Sequence, residues 1–397
     1  MKHISFIAIQ PRVFWWLVPV LFCFELYSLF PTRIAREPGN YLRGVYHVHS
    51  QFSHDATGSL EHIAEAANQA ALDFVVVTDH NSLQGHHLRL DKQYGAVDLY
   101  VETEASLPMG HAVSFLSHTT AADTPDREIE EKTLRQLIQK IPMAEGTFQV
   151  IAHPTNVKRP WERLDLFAKG VEVINLDSVW REQLNTDWGS SFVTLLLYPL
   201  NEFVSMLRLL KVNPKNFQIW DNMNSVSKNH VGLLAQDTHE NVQLSKNVQV
   251  LWPTYRETFK LASNIVFLDR PRADTYDERK RQTYEQIQKG RVAMVFDYLY
   301  PFQNSNWTLR CGDKVAHCGE EIPLSDGGCV SEVQTPDGFP YPLNVKLLRN
   351  GRETASSNRI TEPGTYRVEV WAKIHSRFSL LVDEWIPFTF YNPIYVQ

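Results

Sequence analysis

Between positions 44 and 240 the apolar residues form short runs, separated by stretches in which apolar positions recur at helical spacing. The run from Phe74 to His80 is too apolar for a half-exposed strand, as in a parallel sheet. We expect strands in the run ending at His49 and in Phe74–His80, Asp98–Glu104, His111–Leu116, Phe148–Pro154, Val171–Asp177 and Val231–His239. We expect helices near residues 60–72 behind the N-cap Ser59, and near 127–141, 191–211, 252–263 and 274–289. This order predicts an α/β protein with βα units around a parallel sheet or barrel.

From about Tyr298 the helical spacing gives way to short alternating runs bounded by Gly, Pro and Asn. The pair Asn350-Gly351, which follows an apolar run, predicts a β-hairpin with a type I′ turn. The stretch 364–374 alternates as expected for a half-buried strand. The pattern predicts three parts: residues 1–42, a barrel over 43–297, and a small antiparallel β-sandwich over 298–397.

The stretch from Val13 to Phe30 has Glu25 as its only charged residue. It reaches the lower end of the roughly 17 to 25 residues that cross a bilayer. We interpret it as a signal anchor, with a buried helix and a cleaved signal peptide as alternatives. The chain is then expected to be a single-pass membrane protein whose catalytic region lies outside the cytoplasm, in the bacterial periplasm or at the cell surface. Basic residues on both sides of the stretch hardly decide this orientation.

Composition and cysteine spacing exclude several classes of function. The formal net charge of -6 provides no overall basic field, so bulk binding of nucleic acid is disfavoured. Glycine-rich phosphate loops and the dinucleotide fingerprint are absent from the sequence. The spacing of Cys311, Cys318 and Cys329 forms no CxxC pair, and it leaves open either one disulfide or free thiols.

Most of the predicted strands end in residues of metal-binding type, and in a (β/α) barrel these strand ends face one active site. The residues are His47, His49, Asp79, His80, Glu104, His153, Asp237 and His239. His47 and His49 are two apart, so an extended strand would point both imidazoles to the same face. Imidazole suits zinc, iron and other divalent first-row metals, carboxylates can bridge two such ions, and the combination predicts a metal site.

The segments HVHSQFSHD, VVTDH, TEASLPMGH, IAHP and AQDTH resemble, in order, the motifs of the PHP (polymerase and histidinol phosphatase) family. The resemblance implies a distorted (β/α)7 barrel with two or three divalent ions of zinc, manganese or iron. It implies one ion on His47, His49, Glu104 and Asp237, a second on Glu104, His111 and His153, and a third on Asp55, His80 and His239. Asp79 would orient a neighbouring ligand, and His54 competes with Asp55 for its role.

The resemblance further implies a metal-dependent hydrolase, and we expect a phosphoesterase that acts on a small-molecule phosphate ester. A metal-bridging hydroxide would attack the ester without a covalent enzyme intermediate, and Asp55, His80 and His239 are assigned to catalysis. Lys158, Arg159 and Arg163 could bind the phosphate, with Arg181 a weaker candidate, although a solvated helix start is the alternative for the first three.

The end of the chain is similar to the β domain of a membrane-associated or secreted branch of the family that includes carbamate and carboxylic ester hydrolases. Hydrolysis of a carboxylic or carbamate ester is therefore a second hypothesis. A third is a membrane-anchored module that binds a metal or another ligand without catalysis.

Overall fold

The computed structural model describes residues 19–24, 39–116, 125–139, 147–161, 168–245, 248–303, 305–356, 358–375 and 383–397. Of the predicted anchor only residues 19–24 belong to these ranges, and they are helical. Within the ranges described, no helix has the length and apolar character needed to cross a membrane. Arg163 also lies outside the described residues.

The larger part of the chain, up to residue 295, combines strands and helices. Its strands are β1 (Tyr41–Val48), β2 (Phe74–His80), β3 (Gln93–Tyr94), β4 (Val97–Leu107), β5 (Gly110–Phe115), β6 (Phe148–Ile151), β7 (Gly170–Asn175), β8 (Val231–Ala235), β9 (Val242–Ser245), β10 (Val248–Val250), β11 (Ser263–Phe267) and β12 (Val292–Val295). Its helices are α1 (Leu60–Gln69), α2 (Gln84–His87), α3 (Ile129–Gln139), α4 (Leu176–Thr186), α5 (Trp188–Leu197), α6 (Glu202–Arg208), α7 (Pro214–Val226), α8 (Tyr255–Leu261) and α9 (Tyr276–Gln288). The α/β class is confirmed.

The sheet contains the expected parallel pairs but is mixed, because it also contains antiparallel pairs. Strand β2 runs parallel to β1 and β4, and β7 runs parallel to β6 and β8. Strand β5 runs antiparallel to both β4 and β6. Only Pro108 and Met109 separate β4 from β5, and a parallel crossover needs a dozen residues or more. The short connection between β4 and β5 therefore requires an antiparallel hairpin.

Backbone hydrogen bonds connect the segment after β8 to β1. The N–H of Gln236 donates to the carbonyl of Tyr46 at 3.0 Å, and the N–H of His49 donates to the carbonyl of Thr238 at 3.1 Å. The last and first strands of the β1–β8 series therefore meet at the carboxyl end of β1. A complete (β/α)7 barrel stays a prediction.

Several predicted elements are confirmed with shifted ends, and others were missed. Ser59 caps α1, since its side chain accepts a hydrogen bond from the N–H of His62. The single helix expected over 191–211 is divided between α5 and α6. Helices α4 and α7 and strands β11 and β12 were not predicted from the sequence.

The C-terminal region consists of β strands that form two sheets. The strands are β13 (Asn306–Cys311), β14 (Lys314–Ala316), β15 (Glu321–Ile322), β16 (Cys329–Gln334), β17 (Leu343–Arg349), β18 (Arg352–Glu353), β19 (Arg359–Ile360), β20 (Gly364–His375), β21 (Asp383–Tyr391) and β22 (Ile394–Val396). One sheet has the order β14-β13-β16-β19, and the other joins the main sheet because β21 pairs with β12. Strand pairing therefore crosses the boundary predicted near residue 298.

Asn350 and Gly351 both have positive φ, 49° and 79°, between β17 and β18, so the predicted hairpin is confirmed. The half-buried character expected of β20 is wrong, since Arg367 on its second face is only 3% exposed. Its guanidinium binds Asp221 of α7 at 2.8 Å and 2.9 Å. Helix α7 thus covers the face that was expected to meet water.

A disulfide joins Cys311 to Cys329, which decides the question that the cysteine spacing left open. It connects the antiparallel neighbours β13 and β16. Cys318 is a buried free thiol.

A buried ion network lies between helix α9 and strand β4. Lys280, only 2% exposed, binds Asp91 at 3.1 Å and Glu102 at 3.0 Å. Tyr284 also donates to Glu102, at 2.6 Å. Buried charges need partners, and each of these carboxylates has one.

Candidate metal centre

The strand ends bring most of the predicted ligands together. Nε2 of His47 lies 3.1 Å from Nε2 of His49 and 3.3 Å from Oε2 of Glu104. Oδ1 of Asp237 is 3.4 Å from the first imidazole nitrogen and 3.3 Å from the second. Ligands about 2.0 to 2.1 Å from a tetrahedral zinc ion would lie roughly 3.3 to 3.4 Å apart. Nε2 of His47, Nε2 of His49 and Oδ1 of Asp237 thus have the mutual spacing of one coordination shell, and Oε2 of Glu104 lies at a similar distance from both imidazoles.

The two histidines converge for a different reason than expected. His47 is not extended: its φ is 65°, and the pairing of β1 with β2 shifts register between Tyr46 and Val48. This bulge turns the imidazole towards His49, which follows the strand. The sequence pattern thus predicted the right pair from the wrong backbone geometry.

Glu104 lies at the centre of the cluster and uses both oxygens. Its Oε1 accepts from Nδ1 of His111 at 2.9 Å and from Nε2 of His153 at 3.0 Å. Its Oε2 is 3.0 Å from Nδ1 of His80. The β4–β5 hairpin explains why His111, seven residues later, faces the same carboxylate.

Asp55 forms the third part of the predicted site. Its Oδ2 lies 3.3 Å from Nε2 of His80 and 3.2 Å from Nε2 of His239. His54 has a side chain that is 77% exposed, and its Nε2 is 4.0 Å from the same oxygen. The geometry favours Asp55 over His54 as the candidate ligand.

When donor atoms that lie within 4.8 Å of one another are grouped, the groups agree only in part with the three expected ligand sets. The groups are His49, Asp55, His80 and His239; His47, His49 and Asp237; and His80, Glu104 and His111. His49 and His80 each belong to two groups, whereas His153 belongs to none and approaches the centre through Glu104.

The arrangement of these donor atoms is better suited to bound cations than to hydrogen bonds between the side chains themselves. Oε2 of Glu104 has no hydrogen-bond partner among the described residues, although imidazole nitrogens of His47, His49 and His80 lie within 3.4 Å. Donor atoms that converge without hydrogen-bond geometry are expected where a metal ion completes the contacts. Because buried carboxylates need a positive partner, the donor set fits divalent ions.

The surrounding side chains shift the pKa values of these groups strongly. Burial opposes the charged form of His153, but the Glu104 carboxylate outweighs it and raises the pKa to about 9. Burial likewise opposes the charge on His239, and Asp55 followed by Asp237 raises its pKa to about 9. Burial lowers the pKa of His49 to about 3.

Residues around the centre hold the ligands in place. Asp79 accepts hydrogen bonds from the backbone N–H and the hydroxyl of Ser50, at 2.6 Å and 2.7 Å, so it fixes the turn after His49. Burial raises the pKa of Asp79 to about 6. Tyr255 donates to the carbonyl of His49 at 2.8 Å.

Three candidate ligands occupy left-handed backbone conformations that non-glycine residues rarely adopt. Their φ angles are 65° at His47, 27° at His153 and 52° at Asp237. Such positions cost on the order of 1 to 3 kcal/mol each and persist only where the surroundings enforce them.

Sequence reasoning missed Glu172, which is fully buried on β7 and whose Oε1 lies 2.5 Å from Nδ1 of His47. A charged residue inside an apolar strand was the signal that could have found it.

The centre opens into a cleft of about 850 Å³. The lining side chains are His54, Asp55, His80, Glu104, Ser106, His111, His153, Asn156, Lys158, Arg159, Asp177, Arg181, Asp237, His239 and Asn241. Of the predicted phosphate-binding residues that the structure describes, Lys158, Arg159 and Arg181 therefore lie at the cleft.

An α/β protein with imidazole and carboxylate donors gathered at its strand ends is of the class that can bind several divalent metal ions. The family model described as "PHP domain" matches residues 46–299. The chain therefore belongs to the PHP domain family, and this membership supports a metal-dependent hydrolase.

No curated protein matches the chain. Among solved structures it is similar to PsfC from Pseudomonas syringae PB-5123, with 11% identity over 61% of this chain and 88% of that one and a TM-score of 0.35. This similarity is too low to transfer a residue role or an activity.

Proposed function

We propose that this protein is a metal-dependent phosphoesterase with a multinuclear site on a distorted (β/α)7 barrel. The observation that carries the proposal is the position of cationic side chains at the cleft into which the candidate metal centre opens. Arg159 contributes most, because its Nη1 lies 3.3 Å from Nε2 of His111. A guanidinium beside bound cations is suited to an anionic ester, whose oxygens accept hydrogen bonds from a planar fork.

The loop that carries these cations is held by its own side chains. Oδ1 of Asn156 accepts from the backbone N–H of Lys158 at 2.9 Å and of Arg159 at 3.3 Å. Arg181, which also lines the cleft, is held by an ion pair with Asp177 one helical turn away. Phosphate oxygens could thus meet more than one cationic side chain in the cleft.

When bound, divalent ions supply Lewis acidity and lower the pKa of water, which allows hydrolysis near neutral pH. The protein side chains have separate tasks. Arg159 and Lys158 would orient the anionic group in the cleft, which Asp55 and His239 also line.

Hydrolysis of a carboxylic or carbamate ester is the second candidate function. It is favoured by the resemblance of the C-terminal strands to the branch of the family that includes such hydrolases, and the same metal centre would serve it. A non-catalytic binding module is the third candidate.

The test uses the full chain loaded with Mn²⁺ or Zn²⁺ and assayed with p-nitrophenyl phosphate, bis-p-nitrophenyl phosphate and p-nitrophenyl acetate. We expect turnover of a phosphate ester that is lost in an Asp237→Ala plus His239→Ala variant. Acetate hydrolysis alone would favour the second function. Equal activity in the wild type and the variant would refute both enzymatic functions.

Attachment to a membrane through residues 13–30, with the catalytic region outside the cytoplasm, remains a proposal from sequence. Protease accessibility of the C-terminal region in intact spheroplasts tests it, since a region inside the cytoplasm would be protected.

A further inference from the structure

Strand β7 carries two buried polar side chains, Glu172 and Asn175, in an otherwise apolar segment. Residues three apart on a regular strand point to opposite faces. Here the pairing of β7 with β8 shifts register between Glu172 and Ile174, and the extra residue brings both side chains to the side of the metal centre. A bulge that re-aims two polar groups at one site indicates a specific task.

Glu172 accepts four hydrogen bonds, two at each carboxylate oxygen. Oε1 accepts from Nδ1 of His47 at 2.5 Å and from the hydroxyl of Tyr46 at 2.9 Å. Oε2 accepts from the backbone N–H of His153 at 2.7 Å and from Nδ2 of Asn175 at 2.9 Å. With Nδ1 of His47 as donor, its Nε2 carries the lone pair that faces the other donor atoms.

Asn175 extends this network to a third ligand. Its Nδ2 donates to Oδ2 of Asp237 at 3.0 Å, which leaves Oδ1 of the carboxylate directed at His47 and His49. Its own Oδ1 caps α4 by accepting from the N–H of Ser178. One amide therefore connects the start of a helix, Glu172 and a candidate ligand.

The ligands held by this pair are those with left-handed backbones: His47, His153 and Asp237. We infer that Glu172 and Asn175 are positioning residues that hold these three strained positions in their ligating arrangement before any ion binds. This inference rests on the proposed metal centre, whose ligands these two residues would arrange in advance. Glutamine cannot replace Glu172, because it offers one acceptor oxygen and its amide nitrogen would face two donors.

The experiment measures metal affinity and stoichiometry of the full chain, by competition with a chromophoric chelator for Zn²⁺, in the wild type and Glu172→Gln. Glu102→Gln is the matched control. Glu102 is also fully buried and bound to a tyrosine hydroxyl and a backbone N–H, and it belongs to the ion network with Lys280 rather than to the candidate metal centre. Thermal unfolding of both variants measures the stability cost that any buried substitution brings.

We expect Glu172→Gln to lower the Zn²⁺ affinity by roughly 10- to 100-fold, the usual effect of losing a partner behind a ligand. The Zn²⁺ affinity of Glu102→Gln should stay within about threefold of the wild-type value, a change far smaller than that effect. If Glu172→Gln does not fold, Asn175→Ser replaces it, since serine keeps the α4 cap and removes the amide donor. Equal affinity in variant and control overturns the inference. A wild type that binds no Zn²⁺ instead overturns the proposed metal centre.

Discussion

Removing divalent ions with a chelator should make the stability of this protein depend steeply on pH between about 6.5 and 9. Burial disfavours charge on His153 and His239, but nearby carboxylates outweigh it and raise the pKa of each from 6.5 to about 9. A group with a raised pKa in the folded state contributes stability that is complete below its unfolded pKa. That contribution is lost as pH rises through the folded pKa.

The size of the effect follows from one histidine. A pKa raised from 6.5 to about 9 corresponds to roughly 3 kcal/mol of folding free energy. The two histidines share Asp237 as a neighbour, so their contributions do not simply add. At roughly 2 °C per kcal/mol for a long chain, the melting temperature should fall by at least about 5 °C between pH 6.5 and 9.

Bound metal should abolish most of this dependence, because ligands bind metal in their deprotonated form and the ions replace the protons. The assay is thermal unfolding across pH 6 to 9, with excess chelator or excess Zn²⁺. A chelated His153→Asn plus His239→Asn variant should lose most of the slope, whereas His62→Gln, on the half-exposed side of α1, should retain it. Parallel curves for chelated and loaded wild type would refute the reasoning.

Three further changes have definite expected outcomes. Arg159→Ala should raise KM for a phosphate ester roughly tenfold and leave kcat nearly unchanged in steady-state assays, because the proposed contact between the guanidinium and the substrate anion would be equally strong in the ground state and the transition state. Replacing Cys311 and Cys329 by alanine should lower the free energy of unfolding by about 3 kcal/mol in urea titrations, since the bond closes a loop with a sequence separation of 18. Lys280→Met should cost about 3 to 5 kcal/mol at pH 7, because it leaves Glu102 buried without its cation, and the loss should shrink at pH 4 as carboxylates protonate.

The candidate ligands that could be predicted from the sequence are those that lie at or near the ends of parallel strands. His80 ends the buried run of β2 and pairs with Glu104 of its parallel neighbour β4, and side chains at this edge of a parallel sheet converge whatever the details of the turns. The position of His111 could not be derived this way, since it begins an antiparallel strand. Its approach to Glu104 depends on the length of one hairpin.

Glu172 and Asn175 escaped the sequence reasoning because their roles depend on a bulge. An alternating strand pattern assigns residues three apart to opposite faces, and one extra residue in β7 reverses that assignment. The pairing of β12 with β21 was equally hidden, because contacts between strands almost a hundred residues apart leave no local periodicity. The roles of these two residues and the β12–β21 pairing were both missed because strand register is decided by the assembled sheet and not by the local sequence.

The ladder between β12 and β21 has a consequence for anyone who wishes to shorten this protein. Cutting the chain after the family-matched region would strip β12 of its outer neighbour and expose a row of unsatisfied amides and carbonyls to other molecules. Such a fragment should self-associate into insoluble material. A minimal soluble version of this protein must therefore keep its carboxy-terminal quarter.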